Sequence, residues 1–340
     1  MAFVKPSISS KSSINDIADW IELKVLQSEF KRFRFSQLHR MQDDEGDAAS
    51  SNYEKIDTEQ EENILDWIEE ITKRSNSLGN SYPFILSRKE IRLKDLTAEL
   101  NQGNYAYLLC LFLSHAKDTD AIEGTQFLKL KNNDPARELF QVISTIAASG
   151  YINGSSISFG WPRQDQSNFP DALKRLCLYT ADGAKFAKNP HAAAPKRVKD
   201  FEIDIVSWIP TNDNLPNKMF LVSQVASGEN WTSKPLRNSI LAKLTYWLES
   251  DFSSRENIAT GLFIPFCIEP QNGETRAERL EYLCGGSLGN LIFYRDRIPF
   301  YVDQVYRSNM NSKKEILIER VNDFESIISW VNEKLELLAS

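Results

Sequence analysis

A mixed α/β fold, with a β-sheet flanked by helices and a mostly helical region before it, is what this 340-residue sequence predicts. Three observations predict it. Apolar residues recur at helical spacing through much of the first 130 positions. Two runs rich in Val, Ile, Phe and Trp, 201–208 and 219–225, stand either side of a segment of Pro, Asn and Asp, the pattern of two strands joined by a long hairpin. Later apolar runs at 261–268 and 289–294 suit buried strands that extend the same sheet. The length accommodates two domains, and the expected division is 1–130 and 131–340.

In chain order, 14–26 reads as a helix with Ile17, Trp20, Ile21, Leu23 and Val25 at packing positions, and Phe35, Leu38 and Met41 follow in a short helical pattern. The stretch Asp43–Glu62 is acidic, polar and without a core pattern, so a flexible loop or surface insertion is expected. A helix around Ile64–Ile71 carries Trp67, and Tyr105–Leu113 is a buried helix too short to cross a bilayer. This region suits sensing a partner or docking to DNA, and no motif chooses between them. Asp134 and Pro135 form an N-cap and first-turn proline for a helix with Ala136, Leu139, Phe140, Ile143, Ile146 and Ala147 on one face, stopped at Gly150.

A strand is expected at 155–159, then a helix with Leu173, Leu176 and Cys177 whose first turn holds Asp171. After the hairpin, Thr232 or Ser233 opens a helix carrying Lys234, Arg237 and Lys243, and 240–248 is helical. Arg295, Asp296 and Arg297 read as a salt-bridged turn. The amphipathic run 315–338 closes the chain as a helix that either caps the sheet or mediates dimerisation.

Composition narrows the class. A net charge of -7 argues against indiscriminate nucleic-acid binding but leaves room for local basic surfaces, with clusters at Lys31, Arg32 and Arg34 and at Lys234, Arg237 and Lys243. Four scattered cysteines without CxxC spacing read as reduced thiols, and three distant histidines form no local zinc motif. No signal-peptide pattern opens the chain and no apolar run reaches spanning length, so a cytoplasmic protein with no membrane partner is expected. Without a phosphate-binding loop, any ATP-driven step falls to a partner protein.

The chemistry concentrates between 200 and 234. Alternation along 201–208 puts Asp204 mid-strand between Ile203 and Ile205, and Gln224 is polar within the next strand. A carboxylate so placed needs a cation, a donor or an edge position. Asp200 and Asp204 in KDFEIDIV, with Gln224 on the following strand and Lys234 nearby, resemble the PD-(D/E)XK nuclease superfamily, most closely its Mrr-type restriction endonucleases. The family glycine is replaced by Phe201 or Glu202, its lysine two residues after the glutamine is Ala226, and its Phe-Glu on the preceding helix is Phe140-Gln141.

The resemblance implies a restriction-endonuclease-like mixed sheet and a DNA endonuclease dependent on Mg²⁺ or Mn²⁺, acting against foreign or phage DNA, with a homodimer or an ATPase or sensor partner compatible with it. Asp204 and Gln224 would hold the metal, and Lys234, in place of the missing lysine, would orient the attacking water. Glu138 is the candidate helix acid, with Gln141 and Asp171 behind it and Asp200 as the other acid of the strand motif, and Asn230, Arg237 and Lys243 would face DNA. A non-catalytic DNA-binding or regulatory subunit that keeps the fold is the alternative, suggested by Ala226 and Gln141.

Overall fold

The computed structural model describes residues 4–38, 53–95, 100–116, 119–122, 134–195, 198–234, 244–271, 273–288 and 290–339, with backbone alone at 53–60, Arg255 and Ser287. The chain divides into two compact units. The first is Met1–Ala136 with Arg295–Phe300 and Glu325–Ser340, and the second is Arg137–Tyr294 with Tyr301–Phe324.

In the first unit, Ser13 caps α1 (Ile14–Gln27), its side chain accepting from the Asp16 amide at 3.1 Å. The expected packing residues Ile17, Trp20, Ile21, Leu23 and Val25 are all buried. Three strands follow that the helical reading did not include: β1 (Arg32–Arg34), β2 (Phe84–Leu86) and β3 (Glu90–Leu93), paired antiparallel in the order β1-β3-β2. Strands of three or four residues are too short for a period of two to stand out against a helical one. Between them, α2 runs Tyr53–Leu78 and begins inside the acidic stretch expected as a loop. Its Glu, Gln and Lys residues are good helix formers, and the helix buries Ile64, Trp67 and Ile71. Met41 and 43–52 lie outside the described residues. The apolar run becomes α3 (Gln102–Ser114), opened by a reciprocal capping box between Asn101 and Asn104 and buried from Gly103 to Leu113.

A charged network lies inside this apolar unit. The guanidinium of Arg74, fully buried, bonds Asp19 at 2.6 Å, Glu22 at 3.1 Å, Glu70 at 3.3 Å and the Asn15 side chain at 3.1 Å. Arg295 bonds the same Asp19 and lies 5.6 Å from the Tyr107 ring centre, and His115 approaches Asp19 at 2.9 Å. Tyr82 and Tyr107 both donate to Glu22 at 2.8 Å. Burial alone would raise the Asp19 carboxyl, yet the Arg295 and Arg74 guanidiniums hold it below the usual range. Burial wins at Glu22, whose carboxyl is raised.

The second unit opens with α4 (Ala136–Ile152), where Asp134 accepts from the Ala136 amide at 2.9 Å as the sequence suggests. Gly150 does not stop this helix. Its missing Cβ admits the Tyr301 carbonyl oxygen, 2.2 Å from where that atom would stand, and the helix ends before Asn153 at φ 52. Then come β4 (Ser155–Ser158), α5 (Phe169–Thr180), β5 (Lys185–Phe186), β6 (Ile205–Trp208), β7 (Phe220–Val225), β8 (Leu248–Ser250), β9 (Ile258–Phe263) and β10 (Leu291–Phe293).

Five of these strands form a mixed sheet in the order β10-β9-β7-β6-β4. The expected hairpin is β6–β7, antiparallel like β4–β6, while β7–β9 and β9–β10 are parallel. One apolar cluster gathers Ile157, Phe159, Phe169, Val206, Phe220 and Trp247, and another gathers Ala226, Leu262, Ile264, Leu283 and Ile292.

Three expected helices differ. The segment after β7 makes a 3₁₀ turn, Glu229–Ser233, and 235–243 lies outside the described residues. Within 244–250 a single 3₁₀ turn, Thr245–Trp247, gives way to β8, which pairs antiparallel with β5. A distant strand thus overrides the local helical spacing. The closing helix is Phe324–Ala339 rather than 315–338. Ile318 instead bridges Ser156, and a left-handed Arg320 at φ 64 breaks the helical path before the helix begins.

None of the four cysteines forms a disulfide; three are buried and Cys284 is partly so. Among the described residues no helix is long and apolar enough to cross a membrane.

Candidate functional site

The polar site at the start of β6 is made by a turn. Phe201 and Glu202 both adopt left-handed backbone at φ 60, which no strand residue holds, so the strand expected from 201 begins only at Ile205. Asp200 ties this turn together. Its carboxylate accepts from the Glu202 amide at 3.0 Å and from the Trp161 amide at 3.2 Å. The turn resets the side-chain alternation, so Ile203 packs with Val206 and Trp208, not on the face expected with Ile205.

Asp204 therefore enters the sheet from its end rather than its middle. Its amide donates to the Ser223 carbonyl at 2.9 Å, and its own carbonyl accepts from the Phe159 and Gly160 amides at 2.7 and 3.0 Å. The carboxyl oxygen Oδ2 accepts from the Val225 amide at 2.8 Å. Gly160 lies against the other oxygen. A Cβ there would stand 2.5 Å from Asp204 Oδ1 and 2.8 Å from Gln141 Nε2, so only glycine leaves this cradle open.

Gln141, on α4, donates from Nε2 to Ser158 Oγ at 2.8 Å and lies 3.4 Å from the Asp204 carbonyl oxygen. Gln224 comes from the neighbouring strand. The β6–β7 register pairs Ile205 with Ser223 and ends there, because the Asp204 amide also bonds the Ser223 carbonyl; Gln224 lies between Ser223 and Val225, the two β7 residues whose backbone holds Asp204. Gln224 is 4% exposed, and its Oε1 accepts no hydrogen bond among the described residues. A buried amide oxygen left without a donor is costly. It is also the kind of neutral oxygen that a hard cation takes.

Electrostatics sharpen the picture. Burial pushes the Asp204 carboxyl from 3.8 up to about 6, and the charges of Asp200 and Glu202 push the same way. The Val225 amide and the Lys234 cation pull it back without cancelling the burial. Lys234, expected inside a helix, follows the 3₁₀ turn and is exposed, within electrostatic reach of Asp204.

By their chemistry, the Asp204 carboxyl and the Gln224 amide oxygen are the groups here that a divalent cation would take. The set is thin, because no group of three or more His, Cys, Asp or Glu side chains gathers among the described residues. Water or backbone oxygens would fill the remaining positions.

Other expected site residues stand elsewhere. Glu138, the candidate helix acid, is exposed and accepts from Arg320 at 2.7 Å. Its neighbour three positions on, Gln141, one turn closer to the sheet end, is the α4 residue turned to Asp204. Asp171 sits in the first turn of α5 and pairs with Lys174 at 3.1 Å. Asn230 is exposed in the 3₁₀ turn, its carbonyl accepting from Ser233 at 2.7 Å. Arg237 and Lys243 lie outside the described residues. Ala226, at the family's lysine position, is 2% exposed in an apolar cluster.

Sequence reasoning missed Gly160, Ser158 and Glu319. Glu319 accepts from the Ser158 amide at 2.8 Å, and burial raises its carboxyl against the opposing pull of Arg175. The signal for Gly160 was its place directly after an expected strand, where a glycine often marks close approach. Nothing local signals Glu319, which reaches β4 across 161 residues. No family model, curated protein or solved structure matches the chain.

Proposed function

We propose that the second unit is a DNA endonuclease of PD-(D/E)XK type that hydrolyses phosphodiester bonds with Mg²⁺ or Mn²⁺. The observation that carries this reading is the placement of Asp204: a buried carboxyl with its pKa raised to about 6, held by the Val225 amide on the strand that also carries Gln224, whose buried amide oxygen has no donor among the described residues. Element order supports it as well. A helix, α4, precedes an antiparallel run of β4, β6 and β7, and β9 then adds in parallel.

When bound, the cation supplies charge neutralisation at the phosphate and lowers the pKa of a water. Asp204 and Gln224 hold it. Asp204 contributes the negative charge, kept in place by the Val225 amide and by the backbone bonds at its own amide and carbonyl. Gln141 fixes Ser158 and the edge of the cradle that Gly160 leaves open. Lys234 provides the cation that orients the attacking water and faces developing charge. Defence against foreign or phage DNA is the setting that fits such an enzyme.

A second reading is a non-catalytic DNA-binding or regulatory subunit, and Ala226 favours it. The position where an Mrr-type site carries lysine is taken up by apolar packing here, and the helix position of its acid is an amide. Incubation of supercoiled and linear DNA with wild type and Asp204→Ala, in Mg²⁺, Mn²⁺ or EDTA, separates the two. Metal-dependent cutting lost in Asp204→Ala is the expected result. Metal-dependent DNA binding with no cutting supports the subunit, and cutting that survives both Asp204→Ala and EDTA refutes the metal site.

A further inference from the structure

We infer that the outer face of the three-stranded sheet in the first unit is a docking surface for the phosphate backbone of duplex DNA. Alternation in these short strands buries Phe33, Ile91 and Leu93 and leaves Arg32, Arg34 and Arg92 outside. The register then sets Arg32 directly opposite Arg92, and Arg34 opposite Glu90. Like charges facing each other across strands destabilise a sheet, so the free fold carries a cost at this pair.

The turn between β2 and β3 adds two more exposed cations, Arg88 and Lys89. Against these five stands Glu90, 4.0 Å from both Arg32 and Arg34, a separation at the outer limit of an ion pair. Phe30 is 72% exposed at the same edge, with the Arg32 guanidinium 5.5 Å from its ring centre.

A groove of about 1080 Å³ borders this face, lined by Arg34, Arg88 and Lys89 on one side and by Leu65 and Glu61 of α2 on the other. In a chain whose net charge is -7, so dense a cationic face has a local purpose. Four of the five cations are arginines, whose planar forks match phosphate oxygens in pairs, while the compact lysine ammonium does so less well. Cations on adjacent strands and alternate residues lie about 5 to 7 Å apart. They face a polyanion bearing one charge per roughly 3.4 Å of each strand. Charge complementarity thus selects a nucleic-acid backbone, read without touching the bases. The choice of DNA rests on the nuclease reading of the second unit.

The test is binding of the full chain in EDTA to a labelled duplex of about 30 base pairs, at salt from about 50 to 200 mM. Arg32→Ala/Arg92→Ala is expected to weaken binding at least about tenfold and to flatten the log–log salt slope by about two, one for each phosphate no longer neutralised. Arg88→Ala/Lys89→Ala, confined to a turn, should act in the same direction while leaving the strands untouched. Unchanged affinity and slope in both variants overturn the inference, as does absence of wild-type binding at the lowest salt. Binding to phosphatidylserine vesicles that both variants abolish, with duplex binding intact, also overturns it in favour of an anionic membrane. Cutting is scored separately in Mg²⁺: a wild type that binds through these arginines and cuts nothing sinks the nuclease and leaves this surface standing.

Discussion

Asp204→Asn gives the sharpest test of the site, because it removes a charge and keeps the shape. In the folded chain the carboxyl titrates at about 6 instead of 3.8, burial being the main cause. An acid raised in this way binds its proton more tightly folded than unfolded. Its contribution to stability is therefore fully present below 3.8, is lost as pH rises through about 6, and is flat above that. The gap corresponds to about 3 kcal/mol. Asparagine cannot ionise and still offers an oxygen to the Val225 amide. The variant is expected to match wild type near pH 4 and to exceed its stability by up to about 3 kcal/mol at pH 8.

Urea unfolding of both proteins across that range, without divalent ions, measures the difference directly. Adding about 10 mM Mg²⁺ should reverse part of it. A site with Kd of about 1 mM stabilises wild type by about 1.4 kcal/mol and leaves Asp204→Asn unmoved. A stability difference that stays constant with pH, or an asparagine variant weaker than wild type at pH 8, would refute the account of a desolvated carboxyl.

Other substitutions separate site from scaffold. Gly160→Ala places a Cβ 2.5 Å from Asp204 Oδ1, 2.8 Å from Gln141 Nε2 and 3.2 Å from the Asp204 Cα, so urea unfolding should register a loss of about 1 kcal/mol or more while Mg²⁺ stabilisation and cutting disappear. Glu138→Ala removes an exposed partner of Arg320; cleavage rate should be unchanged and stability lowered by less than about 1 kcal/mol, whereas Gln141→Ala should impair cutting. Arg74→Met strands Asp19, Glu22 and Glu70 without their shared guanidinium. Calorimetry or urea unfolding should register a loss of about 3 to 5 kcal/mol, and a loss under about 1 would show the network to be dispensable.

Much of the second unit is legible from periodicity. The apolar runs flanking the Pro- and Asn-rich connection become β6 and β7 as a hairpin, and Asp134-Pro135 begins α4. The polar positions Asp204 and Gln224 stand out because a strand has few places for such groups. Their mutual position depends on the register of the hairpin, which the connection does not reveal by its length. Phe201 illustrates the limit. Its apolar side chain belongs to a strand pattern, but its left-handed backbone belongs to a turn held by Asp200.

Local pattern alone therefore determines where this chain is helical or extended over its longer segments, and which residue types carry chemistry, since burial favours apolar residues at a fixed period. Tertiary structure decides what distant residues make together. It brings the Glu325–Ser340 segment into the first unit with α1 and α3, and it gathers Asp19, Arg74, His115 and Arg295 around one buried carboxylate. It also turns Gln141 rather than Glu138 to Asp204, and lines up Arg32 with Arg92. Each of these pairings costs chain entropy to close and is favoured by burial and register, quantities that no short window of sequence contains.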